Sequence, residues 1–272
     1  MNFLFSIDDR FVKQFKTTLL SIYYNSRKGH HNVYVLQKEP LKQAEEVQQF
    51  CQQLEMTYYP LLVEDDFQGA PVSKRYPEAI YYRLLAWKYL PEDVKKILYL
   101  DADILCLNNL GPLYDLDISE YLYGAASHAN LTNVTTVINK VRLKSYESEG
   151  YFNSGVLLMN IAQIKDEVKS EDIYQFIEEN KLTLFLPDQD ILNGLYGERI
   201  VAIPDEVYNY DVRKNATYEV LSKGKWDLDW VIEQTVFLHF CGKDKPWYDN
   251  YKGRFSSVYK HYYHKANDQS IK

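Results

Sequence analysis

No stretch of this chain is long and apolar enough to cross a bilayer; a spanning helix needs about 20 such residues, and the apolar runs here are of strand length. The opening run, MNFLFSI, meets Asp8, Asp9 and Arg10 too soon to act as a signal peptide, so a cytosolic protein is expected, at most peripheral to the inner face of the membrane. Cysteine is scarce. Cys51, Cys106 and Cys241 are odd in number, far apart and without CxxC spacing, which excludes a disulfide framework or a zinc cluster and leaves ordinary buried thiols. Excess positive charge is missing too: 31 Lys and Arg against 38 Asp and Glu leave a net charge of −7. Grooves for nucleic acid are usually strongly basic, so no nucleic-acid partner is expected. With no export signal, the N-x-T triplets at Asn130, Asn133 and Asn215 read as chance matches.

Aromatic residues are plentiful, 25 tyrosines among them. Tyrosine suits contact with sugars, and equally any core with polar edges. At 272 residues the chain has room for one large α/β domain. NFLFSI, HNVYVLQ and TYYPLLV read as strands. They alternate with RFVKQFKTTLLSIYYNS and PLKQAEEVQQFCQQLEM, which carry apolar stripes at helical spacing. This alternation predicts parallel strands with crossover helices on both faces. PEAIYYRLLAWKYLP reads as one proline-bounded helix, and KKILYL as the next strand. Strands YLYGAAS and YFNSGVLLMNI follow, separated by a polar, mobile excursion over 130–150. Helices near EDIYQFIEENK and PDQDILNGLYG, strands RIVAIP and TVFLHF and a helical tail around RFSSVYKHYYHK complete the chain.

Chemistry concentrates at KKILYLDADILCL, where Asp101 and Asp103 follow a buried apolar run. In extended chain, residues two apart point the same way, so both carboxylates would converge on one point. Converging anions repel unless a cation lies between them, and Mg²⁺ or Mn²⁺ commonly joins carboxylates to phosphate oxygens. Asp8 and Asp9 end the first strand, where open α/β sheets bind ligands. Either an acidic group there holds a ribose or base with Phe11 stacked on the base, or Asp9 merely caps the next helix. Arg83 on its helix is either a phosphate partner or, as is more usual, solvated. In LPDQDILNGLYG, acidic groups in a first helical turn commonly just offset the dipole. Asp188 and Asp190 would lie about 200° apart there, which argues against a two-carboxylate hydrolase pair. HFCGKDKPW sets a metal-competent imidazole, His239, near Gly242, Lys243 and Lys245.

In this order, FLFSIDD, AIYYRL, ILYLDADIL, YFNSGVLLMNI, LPDQDILNGL and HFCGKDKPW resemble glycosyltransferase family 8, which includes bacterial lipooligosaccharide galactosyltransferases and glycogenin; the resemblance covers about residues 1–250. It implies an α/β GT-A fold: a Rossmann-like, mostly parallel sheet flanked by helices, with a nucleotide-sugar half over about 1–127, an acceptor half over about 128–250 and a helical tail at 251–272. The activity implied is retaining transfer of a hexose, galactose before glucose, from a UDP-sugar to a glycan acceptor carried on lipid, protein or saccharide. The cofactor implied is Mn²⁺, with Mg²⁺ as the alternative. By the same resemblance Asp101, Asp103 and His239 would hold the metal, and Asp8, Phe11, Arg83 and Ala102 would help bind the donor. Asn153, Asp188 and Gln189 would surround the transferred sugar, with Gln189 and Asp188 catalytic, and Gly242 and Lys245 would hold the diphosphate. Ser154 stands where the family has alanine, and 128–150 and 205–232 are the divergent, acceptor-shaping regions. Two rivals are a haloacid-dehalogenase-type phosphatase, whose strand-end DxD is followed differently, and a non-catalytic sugar-binding protein.

Overall fold

Strand β1 (Asn2–Ser6) is central to a seven-stranded sheet of order β3-β2-β1-β4-β7-β6-β8, seen in a computed structural model that describes residues 1–73, 77–127 and 150–268. Strands β2 (His31–Gln37), β3 (Met56–Leu62) and β4 (Lys96–Leu100) run parallel to β1, as the alternation predicts. Side chains leave β1 alternately: Phe3 and Phe5 enter one core, Leu4 the other. Helices α1 (Val12–Asn25) and α2 (Ala44–Gln53) cover the first face, where Phe15, Leu19, Ile22, Val47 and Cys51 meet Phe3, Phe5, Val33 and Val35. Each such aliphatic or phenyl side chain contributes about 1.5–3 kcal/mol on burial.

The far half of the sheet departs from expectation. β6 (Tyr123–Ser127) and β8 (Ile200–Ile203) pair in parallel, but β7 (Phe152–Asn160) is antiparallel to both β4 and β6. A strand buried on both faces reads as an unbroken apolar run whichever way it points, so periodicity is silent on direction. After α3 (Gly111–Tyr114), helices α4 (Ile161–Glu167), α5 (Ser170–Asn180) and α6 (Pro187–Tyr196) pack through Ile161, Ile164, Ile173, Ile177 and Ile191 against the second face.

The proline-bounded helix over 77–91 is not formed. Two short 3₁₀ segments, Glu78–Ile80 and Tyr82–Lys88, meet there, with Leu85 in non-helical geometry (φ −114°, ψ 16°). Tyr81 to Ala86 are all buried, so tertiary packing on every side, not a single amphipathic stripe, sets the backbone. The polar excursion over 130–150 lies outside the described residues except for Gly150, as do Asn130 and Asn133.

A second sheet was not anticipated. β5 (Ile104–Cys106), β10 (Phe237–His239) and β9 (Tyr210–Asp211) pair in the order β5-β10-β9. Helices α7 (Asp205–Tyr208), α8 (Asn215–Leu221) and α9 (Leu228–Gln234) fill the divergent segment 205–232 and its flank. They enclose an aromatic core of Tyr210, Tyr218, Phe240, Phe255 and Tyr259. The C-terminal helix α10 (Ser256–Asn267) is built into the fold: it lies on α1, and Asn267 donates to Lys13 O (3.1 Å) while Asn25 donates to Tyr262 Oη (3.1 Å).

Candidate active site

Beyond Leu100 the chain leaves the large sheet, turns through Asp101, Ala102 and Asp103, and enters β5 of the small one. The two carboxylates therefore do not share the extended strand assumed from the sequence. They converge because the turn is pinned from several sides. Asp101 N donates to Gly155 O (2.9 Å), and Thr18 of α1 donates to Ala102 O (3.1 Å) and Ile104 O (2.7 Å). Phe240 N donates to Asp103 O (3.0 Å), tying the turn to the end of β10. Tyr99 Oη donates to Asp101 Oδ1 at 2.8 Å.

Antiparallel pairing of β5 and β10 sets His239 opposite Ile104. Its Nε2 lies 3.2 Å from Asp103 Oδ1 and 3.7 Å from Asp101 Oδ2. One ligand atom from each of the three falls within 4.8 Å of the others, the only such cluster of acidic, histidine or cysteine groups among the described residues. Burial opposes the charge on Asp103, but Lys245 and His239 outweigh it and hold its pKa far below the usual carboxylate value. Burial likewise works against charge on His239, and Cys241 and Asp103 reverse it. Two carboxylates and one imidazole are a donor set suited to a divalent transition cation such as Mn²⁺.

Lys245 reaches the same point: its Nζ lies 2.5 Å from Asp103 Oδ2, donates to Phe240 O (2.8 Å) and sits over the Trp247 ring. Phe11 meets that indole edge-on at 6.4 Å, so it lines the same wall. Gly242, two residues beyond half-buried Cys241's neighbour Phe240, has φ +87°, a conformation open to glycine at little cost, and a Cβ there would lie 2.9 Å from Arg213 Nη1. Lys243 is exposed.

Arg83 is buried, not solvated. Its guanidinium pairs with Asp101 (3.0 Å) and Asp188 (3.4 Å), donates to Ser154 O (2.7 Å) and stacks 4.3 Å from the Tyr99 ring centroid. It thus joins the turn to the first turn of α6. Asp188 also accepts from Ser154 Oγ (2.7 Å), and burial raises its pKa against the pull of Arg83. Asp190 faces elsewhere, as the helical spacing requires. It accepts from Tyr151 Oη (2.5 Å), Phe185 N (2.7 Å) and Leu186 N (3.2 Å), which makes it a buried anchor for the loop before α6.

Gln189 and Asn153 are joined, Asn153 Nδ2 donating to Gln189 Oε1 at 3.1 Å. Asp8, not Asp9, caps the 3₁₀ turn Asp9–Phe11: it accepts from Arg10 N (2.9 Å) and pairs with the Arg10 guanidinium. Asp9 instead accepts from Lys42 N (2.8 Å). Sequence reasoning missed two residues. Gly155, an isolated glycine inside an apolar strand, carried a usable signal for close approach. Asn209, buried between α7 and β9, carried none.

The family model for glycosyl transferase family 8 matches residues 2–251. The chain belongs to that family, and it is accordingly a glycosyltransferase. A lipopolysaccharide 1,2-glucosyltransferase of Escherichia coli is 27% identical over 91% of this chain and 73% of its own length. A lipopolysaccharide 1,3-galactosyltransferase of Salmonella typhimurium is 27% identical over 66% of this chain and 52% of its own. The solved galactosyltransferase LgtC, in complex with donor and acceptor sugar analogues, superposes with a TM-score of 0.82 at 23% identity, covering 97% of this chain and 96% of that one. The fold is thereby GT-A, and the phosphatase alternative falls away.

Proposed function

We propose that the chain moves a hexose, galactose or glucose, from a UDP-sugar to a hydroxyl of a glycan acceptor, with retention and with a divalent cation, Mn²⁺ before Mg²⁺. The observation that carries this reading is the convergence of Asp101, Asp103 and His239 beside Lys245 at the junction of the two sheets. When bound there, the cation would offset charge gathering on the departing diphosphate. Lys245 supplies a second positive charge at the same place, and Arg83 holds Asp101 and Asp188 in one frame. Asp8, Phe11 and Ala102 fall to the nucleotide side, Gly242 to the diphosphate, and Asn153, Asp188 and Gln189 to the transferred sugar.

Gln189 is an amide and Asp190 is spent on Tyr151 and two backbone amides, so neither favours a covalent intermediate. Same-face displacement fits better: the bond from C1 to the phosphate oxygen breaks, the acceptor oxygen bonds to C1, and its proton passes to the departing phosphate. The relatives named for lipopolysaccharide support a lipid-borne glycan as the acceptor. A thermal-shift series with UDP, with and without Mn²⁺, tests the site, and a stabilisation requiring both is expected. Absence of any metal-dependent shift would overturn the reading, and UDP release across UDP-galactose, UDP-glucose and other donors identifies the sugar.

A further inference from the structure

Four amide and imidazole side chains form one continuous line through the site. Gln189 Oε1 meets Asn153 Nδ2 (3.1 Å), Asn153 Oδ1 meets Asn209 Nδ2 (2.8 Å), and Asn209 Oδ1 meets His239 Nδ1 (2.8 Å). Side-chain amides are ambiguous in isolation, since oxygen and nitrogen exchange on a flip. Here one backbone group removes the ambiguity. Gly155 N donates to Asn153 Oδ1 at 2.9 Å, and a backbone amide has no other role to play. Asn153 must therefore present oxygen toward Gly155 and Asn209, and its nitrogen toward Gln189.

Both ends of the line are then determined. Asn209 has to donate to Asn153, which turns its own oxygen to His239 and requires the proton on Nδ1. Nε2 is left as the nitrogen that exchanges a proton or a cation between Asp101 and Asp103. At the other end, Gln189 has its carbonyl oxygen engaged by Asn153, so its NH₂ is the edge left for a ligand. Asn209 is 1% exposed and touches neither carboxylate of the metal cluster in any hydrogen bond shown, so it acts through its neighbours.

From this arrangement we infer that Asn209 is a positioning residue that sets the imidazole of His239 for cation binding and, together with Gly155 N, holds Asn153 so that the amide of Gln189 donates toward the donor sugar. The inference rests on the metal-dependent reading above. Its coupling is directional: replacing Asn209 by aspartate keeps an acceptor for His239 Nδ1 but removes the donor to Asn153, whereas leucine removes both.

The test is an electron-paramagnetic-resonance titration of Mn²⁺ in the presence of UDP, run beside steady-state kinetics, for the full chain and its Asn209→Leu and Asn209→Asp variants. Asn209→Leu is expected to weaken Mn²⁺ binding about 10–100-fold, the range for an outer-shell partner of a metal ligand. Asn209→Asp is expected to bind Mn²⁺ within about threefold of the parent, because an acceptor for the ring is kept and its bond becomes charge-assisted. It should still lose about tenfold in kcat, because its carboxylate faces Asn153 Oδ1 and repels it, which loosens the hold of Asn153 on Gln189. A folded Asn209→Leu with parental Mn²⁺ affinity would overturn the inference. Should that variant fail to melt cooperatively, Asn209→Asp decides alone, and an unchanged kcat overturns it. Failure of the parent chain itself to bind Mn²⁺ with UDP would instead sink the metal reading, which keeps the two failures apart.

Discussion

Gly155 faces the imidazole of His239 so closely that a Cβ at position 155 would lie 2.4 Å from His239 Cε1 and 2.8 Å from Asp101 Oδ2. The third strand-end ligand thus owes its place to an absent side chain on β7. Gly155→Ala should push the ring or the Asp101 carboxylate aside. Overpacking of this kind costs about 1–3 kcal/mol of stability. The functional loss should be larger than that cost suggests, at least about a hundredfold in kcat/KM, since small displacements at a reacting centre are amplified. Urea unfolding together with Mn²⁺ titration checks both parts, and a variant with parental metal affinity would count against the close-approach account.

Arg83 binds three acceptors at once, Asp101, Asp188 and Ser154 O. A lysine places a single ammonium there and lacks the planar fork. Arg83→Lys is expected to lower stability by about 1–3 kcal/mol, because buried Asp188 and half-buried Asp101 lose part of their hydrogen bonding while the positive charge remains. Donor affinity measured by UDP calorimetry should fall with it. Equal stability of the two proteins in urea would show that the fork is dispensable.

Asp188 and Asp190 stand two residues apart and should separate cleanly by mutation. Asp190→Asn removes a full charge from acceptors of Tyr151, Phe185 N and Leu186 N, so it should cost about 1–3 kcal/mol of stability. Asp188→Asn leaves the hydroxyl of Ser154 with an acceptor but takes a negative charge from Arg83, and it is expected to act on kcat more than on the melting temperature. Thermal melts and kinetics of the pair, side by side, distinguish anchor from site residue. Reversed outcomes would exchange the two roles.

Asp66 offers a pH test remote from the site. It accepts from Lys88 Nζ (2.5 Å), Tyr89 Oη and Tyr174 Oη (3.0 Å), clasping the loop after β3 to the segment Tyr82–Lys88 and to α5. Burial opposes its charge, but the three donors prevail and hold its pKa below the ordinary 3.8. A depressed folded pKa means stability that is fully present above 3.8 and lost as pH falls through the folded value. Asp66→Asn should therefore melt earlier than the parent at neutral pH, with the gap closing below about pH 4. A gap that stays constant to pH 2 would remove Asp66 from the acid-stability account.

Much of this molecule was readable before any coordinates. HNVYVLQ is β2 residue for residue, and Phe15, Leu19 and Ile22 fall on the buried stripe of α1. Such elements are legible from residue type and spacing: a short apolar run bounded by polar residues reads as a buried strand, and apolar residues three and four apart read as a helix face. Local pattern failed over 77–91. There Tyr81 to Ala86 are buried and Leu85 leaves helical geometry, a break set by tertiary packing that no residue type in the segment announces. It failed also where strands are short: three-residue β5 and two-residue β9 are too brief to show a period at all.

By itself the sequence determined the chemical inventory: DxD after an apolar run, a strand-end histidine and lysine far downstream, and the family these motifs resemble in their order. The tertiary structure decided how the inventory is connected. It put Asp101 and Asp103 in a pinned turn between two sheets, buried Arg83 between two carboxylates, and inserted Asn209 behind His239. Those are relations between residues separated by tens to more than a hundred positions, and no local period encodes them. They arise because packing the core-facing side chains of two sheets and their helices brings these polar groups into the interior together, where Arg83, Asp188, Asn209 and His239 are held by one another and by their neighbours.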